Sequence, residues 1–136
     1  MGTWAHDTFD NDTACDWAYD LEKVSDLSFV MLALSRVIET GNDHLDADVA
    51  CEGLAACEVI ARLKGNWGAR NAYTEPVDNW VNTHAIPVSS ALAEQAAAVI
   101  DRVLSPPSEL LELWQDGKDP QEWHSAVSNL RARVIG

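Results

Sequence analysis

Three sets of side chains have the types and spacing that chemistry could use. Asp12, Asp16 and Asp20 recur at every fourth residue, so on a helix their carboxylates share one face and offer oxygens to a hard cation. The same spacing describes an ordinary solvated helix face, which is the favoured reading. Residues 42–48 (NDHLDAD) are rich in oxygen donors but lack the register of an EF-hand loop, so turn formation and helix capping account for them better. The third set lies at the opening, where Trp4, His6 and Asp7 precede the run Asp10-Asn11-Asp12.

Other signals are missing. The four histidines (His6, His44, His84, His124) show no HExxH or similar ligand spacing, and paired Cys/His zinc motifs are absent. Gly65 and Gly68 in GNWGAR do not match a phosphate-cradling loop, and no Gly-x-Ser-x-Gly occurs. Cys15, Cys51 and Cys57 carry no local nucleophile signature, so small buried side chains are expected. Cys51 and Cys57 fall on one predicted helix with Cα atoms about 9 Å apart, too far for a disulfide. An odd count without a close pair suits a reducing cytoplasm. No catalytic residue, metal ligand or cofactor is assigned, and an enzyme is the less favoured class.

The elements that must position these side chains are all helical. Asp10, Asn11 and Asp12 supply N-cap side chains for a helix over about residues 12–23, with Ala14, Trp17, Ala18 and Leu21 at helical spacing. Ser25 and Asp26 cap a second, whose stripe is Leu27, Val30, Met31, Leu34, Val37 and Ile38 and whose stop is Gly41. A third spans about 48–64, ends at Gly65 and carries Glu58 and Arg62 as a favourable i,i+4 pair. Its Gly53 would cost about 1 kcal/mol against Ala in an exposed helix, which a close helix crossing would explain. Shorter helices are expected near 75–84 and 108–114, with a longer one after Ser89 or Ser90. The last begins at Asp119-Pro120 with Glu122 at N3, close to a capping box. No alternating strand pattern, repeat or linker is evident. The expected fold is one all-α domain over 1–136, a compact bundle of six to seven helices with an ordered irregular N-terminal segment.

Composition narrows the function. The 136-residue chain is 47% hydrophobic with six tryptophans, enough for a sizeable core. It carries 22 acidic residues against 9 scattered basic ones, a net charge of −13. Without a basic patch, nucleic acid and anionic membrane are disfavoured partners. No apolar run approaches the ~18 residues of a membrane span. MGTWAHDTFDND has neither the basic start nor the apolar stretch of a signal peptide, so cytoplasmic location is expected.

The opening MGTWAHDTFDNDTACDW resembles the start of a bacterial family known as domain of unknown function 4259, whose pattern is close to MGxWGxGxFDNDxAxDW. Met1, Gly2, Trp4, Phe9, Asp10, Asn11, Asp12, Ala14, Asp16 and Trp17 fit it. Residues 55–61 and 108–114 resemble the family as well. Ala5 and Asp7 stand where the family usually has glycine, which argues against a phosphate-cradling role for that loop. The resemblance implies a helical fold and a bacterial cytoplasmic origin, and brings no activity. Physically, Trp4 and Phe9 are expected to clamp onto the first helix turns near Trp17. The functional alternative makes Trp4, His6, Asp7, Asp10, Asn11 and Asp12 a binding surface. Two classes follow: an acidic interaction protein that binds a basic protein partner, or a metal-dependent hydrolase using the Asp-rich N-terminal region. A second copy of the chain is a further candidate partner.

Overall fold

A computed structural model describes residues 7–117 and 120–136. Among them run seven helices: α1 (Asp12–Leu21), α2 (Ser28–Glu39), α3 (Ala47–Leu63), α4 (Glu75–Thr83), α5 (Ser90–Val103), α6 (Glu109–Gln115) and α7 (Pro120–Ile135). The fold is all-α, as expected. An isolated parallel bridge joins Leu45 and Ser108. None of the helices is long and apolar enough to cross a membrane.

Local chemistry starts and stops these elements. The Asn11 side chain accepts from the Ala14 N–H at 2.8 Å, so the middle residue of Asp10-Asn11-Asp12 is the cap. Ser89 caps α5 through the Leu92 N–H, and Ser108 caps α6 through the Leu111 N–H. α3 begins differently: Asp46 makes no side-chain cap, and the Ala47 N–H donates instead to Glu109 Oε1 at 2.7 Å, so α6 closes its end. Gly41 and Gly65 stop α2 and α3 at φ +58° and +87°, which only glycine adopts without strain. α2 starts later than the sequence suggests, at Ser28, where Asp26 Oδ1 accepts from both the Ser28 N–H and its hydroxyl. The proposed cap at Asp119 lies outside the described residues.

α3 is the central element and packs against each of the other six helices. Thirteen of its 17 residues are buried, Glu58 and Arg62 among them, while Asp48 at its first turn stays exposed. Gly53 sits at its crossing with α2 and α5, where an added Cβ would meet Val37 Cγ2 at 2.6 Å and Val99 Cγ1 at 3.2 Å. The crossing expected from that glycine is therefore present. α2 buries Val30, Ala33, Leu34 and Val37, and leaves Met31 and Ile38 exposed. The predicted stripe is thus rotated: α2 packs chiefly on α3 and α5, with Phe29 stacked on Trp17 of α1 at 5.1 Å, and Met31 and Ile38 fall outside that face. Trp80 of α4 donates its Nε1–H to the Val24 carbonyl at 2.8 Å, tying α4 to the turn after α1.

Candidate functional site

The N-terminal turn is built by its own polar side chains. Asp7 N donates to Asp10 Oδ2 at 3.1 Å, and Asp10 N returns to the Asp7 carbonyl at 3.0 Å. Asn11 Nδ2 donates to the Thr8 carbonyl at 3.0 Å while its Oδ1 caps α1. Phe9 is 2% exposed and joins the hydrophobic core. Trp4 and His6 lie outside the described residues. Asp10 and Asn11 are buried, and Asp7 and Asp12 face solvent.

This turn forms one wall of a cleft of about 850 Å³. α3 contributes Glu58 and Arg62 to its floor, residues 69–74 a second wall, and α7 a third through Glu122, Ser125, Asn129 and Arg133. Of the candidate binding residues, Asp7 and Asp10 line the cleft. Asn11 is used as the helix cap, and Asp12 points to solvent at the start of α1.

Under the cleft lies a polar network of which the Glu58–Arg62 helix pair is only the local part. Glu58 and Arg62 pair at i,i+4 with side chains only 8% and 1% exposed. The Glu58 carboxylate also accepts from Arg133 Nη1 at 2.9 Å and Nη2 at 2.8 Å, and from Thr8 Oγ1 at 3.3 Å. Arg62 Nε donates to Asp78 Oδ1 at 2.8 Å, and its Nη2 to the Ala69 carbonyl at 2.7 Å. Thr74 Oγ1 donates to Asp78 Oδ2 at 2.7 Å. A buried charge costs several kcal/mol unless paired and hydrogen-bonded, and each of these charges has several partners. The network also shapes the 65–74 loop: Trp67 lies against Arg62 and Arg70, with cation-to-ring distances of 5.8 and 4.5 Å. Glu58 and Arg62 lie within Ala-Ala-Cys-Glu-Val-Ile-Ala-Arg, and that apolar surround was the available sign of burial. Nothing local marks Arg133.

The metal-ion alternative gains no geometry. Asp12, Asp16 and Asp20 are all exposed, and among the described residues no group of three or more His, Cys, Asp or Glu side chains converges as a metal site. His84 stacks on Trp80 with ring centroids 4.5 Å apart, and His44 pairs with Glu112 at the surface. All three cysteines are free. Burial pushes the Cys51 thiol up to about 12 from an ordinary 9.0 and raises Cys57 also, so neither is poised as a nucleophile. Cys15 is raised as well, first by burial and then by Asp12, Asp16 and Asp10.

Residues 2–126 match a family model described as Domain of unknown function (DUF4259). No curated protein and no solved structure matches the chain.

Proposed function

Because the chain belongs to the DUF4259 family, whose description attaches no activity, the site itself must argue the function, and we propose that the protein works by binding a basic protein partner. The observation that carries this is the cleft, whose lining holds four acids (Asp7, Asp10, Glu58 and Glu122) against two arginines (Arg62 and Arg133), on a chain of net charge −13. Such a field draws cationic groups toward the opening and opposes anionic ones. Nucleic acid is disfavoured as a partner for the same reason. We also infer a reducing bacterial cytoplasm as the compartment, which free thiols suit.

Isothermal titration of the full chain with a short Arg/Lys-rich peptide tests the proposal. Binding is expected at low salt, weakening steadily as salt rises, with no heat from the same peptide carrying glutamine at its basic positions. The double variant Asp7→Asn, Glu122→Gln should bind several-fold more weakly. Absence of binding at low salt, or equal binding by the variant, would overturn the proposal.

A further inference from the structure

The Arg133 side of the cleft is shaped around a planar cation, and the inference drawn from it rests on the basic-partner reading above. Arg133 presents its guanidinium edge-on to the Glu58 carboxylate, with two parallel N–H···O bonds of 2.9 and 2.8 Å. Its Nε donates to Asn129 Oδ1 at 2.8 Å, and Nη1 also reaches the Asn66 carbonyl at 3.4 Å. Gly68 lies flat on the group: an added Cβ would come within 2.7 Å of Arg133 Cζ and 2.8 Å of both terminal nitrogens. A carboxylate fork, the Asn66 carbonyl and a side-chain-free ceiling together match a planar cation with donors on its edges. An ammonium, a compact point charge, would use one arm of the fork and leave the flat slot unfilled.

Two arginines meet Glu58, and they differ in access. Arg62 is 1% exposed and is tied to Asp78 and Ala69 as well, whereas Arg133 is 15% exposed and stands in the cleft wall. Arg133 belongs to the last turn of α7, whereas Arg62 is part of the buried central helix. We propose that Glu58, Gly68 and Asn66 form a guanidinium seat, held by Arg133 of the same chain and yielded to an arginine side chain of the basic partner. The internal arginine keeps the buried carboxylate paired while the partner is away. It also lowers the apparent affinity of the cleft by the fraction of time the seat is taken.

Arg133→Ala empties the seat and leaves Glu58 paired with Arg62. Thermal unfolding of this variant is expected to shift upward, saturably, with millimolar methylguanidinium chloride. Methylammonium chloride at equal concentration should give no such shift, and the unsubstituted protein should respond to neither. Equal shifts from both salts, or none from methylguanidinium, would overturn the proposal. Should Arg133→Ala not fold, Arg133→Lys keeps a cation at the loop without the fork. Titration should then show N-acetylarginine amide binding this variant at least about tenfold tighter than the parent, with N-acetyllysine amide unchanged; equal affinities for the arginine amide count against the seat. If the parent binds the Arg/Lys-rich peptide yet neither variant favours guanidinium, the seat fails and the basic-partner reading stands. If the emptied seat takes methylguanidinium while the parent ignores the peptide, the reverse holds.

Discussion

Arg133 and Glu58, 75 residues apart in sequence, meet as a two-pronged ion pair at 2.9 and 2.8 Å beneath the cleft. The pair fastens the last turn of α7 to the middle of the central helix. Asn66 adds to the joint by donating its Nδ2–H to the Arg133 carbonyl at 2.8 Å.

Breaking this hub from the acid side should cost far more than breaking a surface pair. Glu58→Ala leaves Arg133 and one arm of Arg62 without a carboxylate in a buried setting, and removal of one partner of a buried pair typically costs about 3–5 kcal/mol. The urea midpoint should fall accordingly. Asp101→Ala, which removes the exposed partner of Arg131, should leave the midpoint nearly unchanged.

Phe9→Ala should lower stability by about 3–5 kcal/mol, because it deletes a large aromatic that is 2% exposed in the core. Asn11→Ala should cost about 0.5–2 kcal/mol through loss of the α1 cap. Asp12→Ala, at an exposed site one residue on, should change the denaturation curve little. A Phe9→Ala protein as stable as the parent would refute the anchoring role of the opening turn.

Gly53→Ala sets two effects against each other. Alanine is better in a helix by about 1 kcal/mol. Here its methyl would stand 2.6 Å from Val37 Cγ2, and overpacking a core typically costs about 1–3 kcal/mol. The net change should be destabilising, and Val37→Ala in the same chain should recover part of the loss by making room. A stabilised Gly53→Ala single variant would show that the α2–α3 crossing is looser than its geometry.

The thiols set an alkaline limit. Burial holds the folded Cys51 pKa at about 12 against an ordinary 9.0, so the folded state keeps a proton that the unfolded chain releases. Stability from this site is complete below pH 9.0 and is lost as pH climbs toward about 12. Cys57 is raised by the same cause and acts in the same direction. Cys51→Ser should flatten the fall in unfolding midpoint above pH 9.0. In native protein at pH 8, iodoacetamide should label Cys51 and Cys57 only after unfolding.

Periodicity, caps and stops by themselves determined the all-helical fold and the order of its elements. These signals are local: a 3.6-residue stripe, an Asn11 or Ser108 side chain within reach of a free N–H, a glycine at positive φ. The same local rules could not decide which side of α2 is buried, because Met31 and Ile38 are as apolar as Val30 and Val37. Only the placement of α3 and α5 chooses among them. Glu58 and Arg62 read equally well as a solvated pair until neighbouring helices enclose them. The sequence placed Asp7 and Asp10 beside a cap, and tertiary packing made them a wall of the cleft. Arg133 carried no signal at all, since a guanidinium finds its carboxylate across 75 residues only when α7 lies along α3. Helices follow from hydrogen bonds within a few residues, whereas the site depends on charges brought together by packing the whole chain.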